Sequence, residues 1–265
     1  MTDDVRNIVL GVIAAGISAA LGWLARTYLW RRRLRRKQAF FGMPDNSESL
    51  LVVNRDAGGP ELTVTRHDVF ALLELSALIK DCHAAAQVVA HDATQQGFGE
   101  RTEFCVGGPA SNRRMAAHLH SLLPGVRVNV EAEPGPDRGA FRIGGEQYRM
   151  EAGRSEYVLL ARLTVGERRT SRPVFLFCGQ RAITNQAATR YLARHHERLT
   201  RKYGNGSFVL LLKVVNSQAY GPDVVELVAD VTRAAQTPLP EPEQAPARPP
   251  ARTSRASRAS HRAAD

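Results

Sequence analysis

Cysteine is scarce in this chain. Three residues in 265, Cys82, Cys105 and Cys178, form an odd set with no CxxC pair and no Cys/His spacing that suits zinc. That excludes a disulfide framework and a metal-ligating cysteine motif, and leaves reduced thiols in a cytoplasmic domain as the simplest reading. Two nucleotide signatures are also missing: no Gly-Lys-Ser/Thr closes a phosphate loop, and no full GxGxxG occurs. Charge is missing between Asn7 and Ala25, where no side chain is ionisable. The opening Met-Thr-Asp-Asp lacks the basic stretch with which a cleaved secretory signal begins.

The net charge of +10 suggests nucleic acid until it is located. Residues 26–37 contribute +7 and residues 236–265 contribute +2, while residues 38–235 keep only +2. A near-neutral body has no electrostatic footprint for a phosphate backbone, so nucleic acid is not an expected partner of it.

Residues 8–24 are mostly Ile, Val, Leu, Ala and Gly, and about 20 such residues cross the hydrocarbon core as a helix. Trp23, Tyr28 and Trp30 fall where amphipathic rings settle at the headgroups, and Arg26 is close enough to snorkel. Arg31, Arg32, Arg33, Arg35, Arg36 and Lys37 follow. Positive charge on this flank, against an acidic N-terminus, places the remainder in the cytoplasm. The expected partners here are the bilayer, through residues 8–30, and anionic lipid at the polybasic flank. Gly11, Ala15 and Ala19 at four-residue spacing are compatible with helix pairing and a homo-oligomer. The expected organisation is an anchor over 1–30, a polybasic connector over 31–47, a domain over 48–235 and a tail over 236–265. That tail holds six prolines and SRASRASHR with no apolar periodicity, a composition of disorder.

Within the body, strand and helix signals alternate. A continuous apolar run at 49–54 predicts a strand covered on both faces, and further strands are expected at 87–90, 103–106 and 126–130. Thr65 and Asp68 open a helix through Ile79, and Ser111 or Asn112 caps another through Leu123. Gly144-Gly145 marks an inserted hairpin (141–143 with 147–150), and further strands are expected at 157–165, 174–178, 208–215 and 224–231. A helix is expected from Thr184 or Asn185 to Tyr203. The expected class is α/β: an N-terminal transmembrane helix, then a Rossmann-like, mostly parallel sheet with helices on both faces and an antiparallel hairpin inserted.

Two segments match loosely: FCVGGPASNRRMAAHL (104–119) and FLFCGQRAITNQAATRYL (175–192). Each leads from an apolar strand through a Gly turn to Ser/Thr-Asn at a helix start. Glycine permits the sharp turn, and a helix start offers free N–H groups to an anion. Ligands of parallel sheets bind beyond the carboxyl ends of strands. The candidate ligand-binding residues there are Asn54, His91, Asp92, Gly107, Gly108, Ser111, Asn112, Gly179, Thr184, Asn185 and Asn216. Helix capping accounts for many of the same residues. The arrangement GGPxSN, then EYVLLARL (156–163), then PVFLFCG…TNQAATRYL resembles Rossmannoid, sensor-like modules of uncharacterised bacterial single-pass membrane proteins of actinobacterial type. The likeness spans about residues 48–215 and implies a ligand-responsive role, with no chemistry to carry over.

For catalysis, His91-Asp92 offers an acid–base pair, but adjacent residues of an extended chain point opposite ways. Cys105 or Cys178 as nucleophile needs an activating base. The expected function is therefore a membrane-tethered cytoplasmic domain binding a small nucleotide-like or phosphorylated ligand in a sensory role. The alternatives are an enzyme acting on a nucleotide and a membrane-associated scaffold. No cofactor is named by the sequence, and no metal site is expected.

Overall fold

The computed structural model describes residues 2–56, 63–94, 97–131, 135, 137–164 and 171–239. In chain order the elements are α1 (Thr2–Phe41), β1 (Glu48–Val53), α2 (Arg66–Asp81), β2 (Ala85–Ala90), β3 (Thr102–Val106) and α3 (Arg113–Leu122). There follow β4 (Val126–Val128), β5 (Phe141–Ile143), β6 (Glu146–Tyr148), β7 (Ser155–Thr164), β8 (Pro173–Gly179) and α4 (Ala182–Tyr203). The last elements are β9 (Phe208–Val215), α5 (Ser217–Tyr220), β10 (Val225–Asp230) and α6 (Thr232–Gln236).

Seven strands form one sheet in the order β10-β9-β7-β8-β3-β1-β2. The block β2-β1-β3-β8 is parallel, β7 runs antiparallel to both β8 and β9, and β10 is antiparallel to β9. Five of the seven strands thus point one way. The mixed α/β class and the mostly parallel sheet agree with the pattern of apolar runs. The strand expected at 224–231 is present as β10.

The interior strands are apolar throughout because both faces are covered. Side chains alternate across the sheet. Phe104, Val106, Phe175 and Phe177 face α2, α4 and the end of α1, whereas Cys105, Leu176 and Cys178 face α3 and the small sheet. In α4, Ala187 and Ala188 are fully buried, which lets the helix sit close to its neighbours.

One strand is misplaced by the sequence reading. Residues 126–130 were expected in the main parallel sheet, but β4 pairs antiparallel with β5, and β5 with β6, in a separate three-stranded sheet. The reason is local: β4 is only three residues long, and Phe141 and Ile143 of the inserted hairpin complete their burial beside it.

The connector expected at 31–47 is helical over most of its length. α1 continues through the arginines to Phe41, a rod about 60 Å long at 1.5 Å per residue. It is long and apolar enough to cross a membrane, and none of its most apolar stretch is buried against the domain. Its far end is a plug. Phe40, Phe41 and Met43 are fully buried in the core beside Phe175 and Phe208. Arg162 of β7, itself buried, donates to the Phe40 carbonyl at 2.9 Å and to the Gly206 carbonyl at 2.9 Å, over the Phe40 ring. Burial pushes its guanidinium pKa down to about 10. Thr102 Oγ1 donates to the Phe41 and Gly42 carbonyls, and Gln38 Nε2 to the Cys82 carbonyl. Most of the proline-rich tail (240–265) and Val165, the last residue of the strand expected at 157–165, lie outside the described residues.

Candidate functional site

β1 and β3 are neighbours, but the chain leaves them toward opposite faces: α2 after β1 on one side, α3 after β3 on the other. Divergence of this kind opens a crevice beyond the strands' carboxyl ends. A hollow of about 420 Å³ lies there. Its floor is made by Asn54, Asp68 and Asn185, and its sides by the turns 108–111 and 179–182. Val128, Val130, Met150 and Arg138, from the small sheet and its flanking loops, complete the lining.

The floor is organised by Asp68, which is fully buried. Its carboxylate accepts from Asn54 Nδ2 at 2.9 Å, from Asn185 Nδ2 at 2.8 Å and from Thr65 Oγ1 at 2.8 Å. β1, the start of α2 and the first turn of α4 are thereby tied at one point. A carboxylate acceptor also fixes which way each amide faces, since only the NH₂ ends can turn toward it. The amide oxygens of Asn54 and Asn185 face away, and both are buried with no hydrogen-bond partner among the described residues. A buried acceptor to which nothing donates costs about 1–3 kcal/mol.

The two Gly turns serve this floor. Gly107 has φ +108, and a Cβ there would stand 2.7 Å from Asn54 Cβ. A Cβ on Gly179 would meet Thr184 Oγ1 at 2.1 Å and Asn185 Oδ1 at 2.5 Å. The turns also touch: a Cβ on Gly108 would be 3.3 Å from the Gly179 carbonyl. Both glycines are needed for close approach of an asparagine, and they bring the two matching segments side by side on adjacent strands β3 and β8.

The sequence candidates divide. Asn54, Gly108, Ser111, Gly179 and Asn185 line the hollow. Gly107 lies under Asn54. Asn112 is a buried cap: Oδ1 accepts from Met115 N at 2.9 Å and Nδ2 donates to the Val106 carbonyl at 2.8 Å. Thr184 is also buried, donating to the Arg181 carbonyl, and neither residue lines the hollow; α4 begins at Ala182, so Thr184 and Asn185 lie within its first turn. Asn216, with left-handed φ 48, starts α5 at the end of β9 and lines neither this hollow nor its neighbour. His91 and Asp92 line a second hollow of about 330 Å³ with Arg113, and that hollow shares Asn54 and Arg55 with the first. They sit in a turn after β2 rather than in extended chain, so adjacent side chains reach one space. His91 Nδ1 accepts from Arg113 N at 3.3 Å.

Two lining residues carry no ligand signal in the sequence: Asp68, which reads as an ordinary residue of a helix start, and Arg138. Arg181 pairs with buried Glu156 at 2.6 Å, and Glu156 also accepts from Gly153 N. Only the Thr65/Asp68 spacing hinted at any of this.

Chemically reactive groups are otherwise shut away. Burial pushes the Cys178 thiol up to about 12, that of Cys82 up to about 11, and that of Cys105 well above its ordinary value. Glu103, Cys105 and His118 form a buried group whose ligating atoms all lie within 4.8 Å of one another. The Glu103 carboxylate is already engaged, by Arg114 at 2.6 and 2.7 Å and by His118 Nε2 at 2.7 Å. A metal would have to displace a bidentate arginine, so the group reads as an ion-pair lock between α3 and β3.

No protein-family model, curated protein or solved structure matches the chain.

Proposed function

We propose that this protein is a single-pass membrane protein whose α/β domain faces the cytoplasm and binds a small phosphorylated or nucleotide-like ligand in a regulatory role. The observation that carries the reading is the crevice of about 420 Å³ beyond the diverging ends of β1 and β3, lined by polar Asn54, Ser111 and Asn185 and by Arg55 and Arg138. Arg55 and Arg138, whose side chains have no ion-pair partner among the described residues, suit an anionic group. A cavity of this size at a strand divergence is where small molecules bind in open sheets. The anchor rests on the length, apolarity and exposure of α1, and the orientation on its arginine-rich flank. Binding is favoured over a cysteine-nucleophile mechanism because all three thiols are buried.

The test is a thermal-shift screen of the full chain in detergent micelles against nucleosides, nucleotides and sugar phosphates, with turnover assays on any hit. Stabilisation without product, lost on Asn185→Ala, supports the reading. Steady conversion of a hit, abolished by His91→Ala, would replace it with an enzyme working from the second hollow. Protease treatment of inverted and right-side-out vesicles checks the orientation: cleavage of the domain only from the periplasmic side would overturn it.

A further inference from the structure

We infer that one face of α1, just beyond its apolar stretch, holds an anionic lipid whose headgroup carries a second phosphate outside the first. This rests on the membrane-spanning reading of α1 and adds to it the chemistry of the lipid that the helix selects.

The arginine-rich segment is helical, and a helix sorts its side chains by direction. At about 100° per residue, Trp30, Lys37 and Phe41 share one side of α1. That side meets the domain: the Trp30 ring lies 6.1 Å from that of His83, Lys37 pairs with Asp81 at 3.1 Å, and Phe41 is fully buried. Arg31, Arg32, Arg35 and Arg36 lie on the opposite side, and all four are exposed. Among the described residues the ion pairs of α1 are those of Arg6 and Lys37, so the domain leaves the charge of these four arginines uncompensated. Their side chains bound a groove of about 470 Å³ that continues past Tyr28 to Leu24, both exposed.

One end of this groove is apolar and the other basic. Leu24 closes the stretch that crosses the hydrocarbon, and Tyr28 stands where rings settle among headgroups. An anionic lipid has the same two parts joined in the same order. A free phosphate has no use for the apolar end, and the same face of a second copy would set arginine against arginine. The arginines form two tiers. Arg31 and Arg32 follow close on Tyr28, and Arg35 and Arg36 lie one turn further out, about 6 Å along the axis. A guanidinium grips phosphate oxygens with a planar fork, so each tier suits one phosphate. The inner tier takes the phosphate that every phospholipid carries, and the outer tier is filled when the headgroup bears another. Because α1 is plugged into the core at Phe40 and Phe41, the bound lipid sets how the domain stands on the bilayer.

The test uses the full chain in phosphatidylcholine nanodiscs with equal fractions of phosphatidylglycerol and phosphatidylinositol 4-phosphate. Native mass spectrometry of the released protein reads which lipid stays bound. The lipid with two phosphates should be retained over phosphatidylglycerol by at least about fivefold, the equivalent of about 1 kcal/mol for one further basic contact. Arg35→Gln with Arg36→Gln should abolish that preference and leave phosphatidylglycerol retention unchanged, whereas Arg31→Gln with Arg32→Gln should lower both. Arg26→Gln with Arg33→Gln removes as much charge from outside the groove and should leave the preference intact. Equal retention of the two lipids, or a preference lost as fully in the Arg26/Arg33 variant, overturns the inference while the membrane-spanning reading stands. Quenching of Trp23 and Trp30, the chain's two tryptophans, by brominated phosphatidylcholine reports insertion of α1. Absence of that quenching overturns both.

Discussion

Replacing Asp68 with alanine should cost the domain about 3 kcal/mol, and the loss can be worked out from the donors it strands. Three side-chain groups point at the carboxylate: Asn54 Nδ2 at 2.9 Å, Asn185 Nδ2 at 2.8 Å and Thr65 Oγ1 at 2.8 Å. Asn185 is 2 % exposed and loses its one partner, the full penalty of about 1–3 kcal/mol for a buried orphan. Asn54 keeps a long contact to Ser111 Oγ at 3.4 Å, and Thr65 is half-buried and can recruit water, so each adds less. For a domain of this size, about 3 kcal/mol lowers Tm by roughly 6–12 °C. Asp68→Asn keeps the shape and replaces one oxygen with an NH₂. One facing asparagine then rotates its amide, and the expected loss falls to about 1 kcal/mol. Cys82, Cys105 and Cys178 are all buried, so a dye that fluoresces on reaction with thiols reports unfolding directly in detergent. An Asp68→Ala protein that melts within about 2 °C of the parent would refute the idea that this carboxylate organises the crevice floor.

Gly179→Ala drives a methyl into Thr184 and Asn185 and should destabilise by about 1–3 kcal/mol, while the same change at exposed Gly135, with nothing within 4 Å, should be silent in the same melting assay. Phe41→Ala empties a fully buried site where α1 enters the core and should cost about 3–5 kcal/mol by denaturant titration; a smaller loss than 1 kcal/mol would mean α1 is not plugged into the domain. The native chain at pH 8 should take up no iodoacetamide over an hour, because burial holds the thiols in their neutral form, and mass spectrometry should find modification only after denaturation. Burial alone would raise the Glu103 carboxyl, but hydrogen bonds from His118 and Arg114 outweigh it and hold the pKa below the ordinary value. Its contribution is therefore in full above the unfolded value of about 4.3 and fades as pH falls through the lower folded one. The stability gap between the parent and Glu103→Gln should thus narrow from pH 7 to pH 3; a gap constant with pH would show that the pairing is not charge-dependent.

Much of the fold is written locally. Residues 49–54 and 174–178 are continuous apolar runs and became buried interior strands, because a strand covered on both faces needs no alternation. The Gly107 and Gly179 turns were legible for a related reason: a left-handed φ in one case and a close approach in the other exclude a side chain. The apolar run of residues 8–24 and the arginines behind it were equally plain. Three things depended on neighbours distant in sequence. Residues 126–130 read as one more parallel strand, yet their partner was decided by the hairpin at 141–148, since a short apolar strand pairs wherever an edge is offered. Residues 31–41 read as a connector, yet Phe40 and Phe41 are buried in the core, where Thr102 and Arg162, the latter 121 positions beyond Phe41, supply donors to the helix end. Asp68 read as a helix-start residue, and the donors that make it the centre of the crevice come from Asn54 and Asn185, 14 positions before and 117 after. Backbone conformation and burial pattern are properties of a short stretch of chain, so the sequence alone determined them. Hydrogen-bond satisfaction of a buried polar group is a property of whatever the fold brings beside it, and only the tertiary structure could decide that.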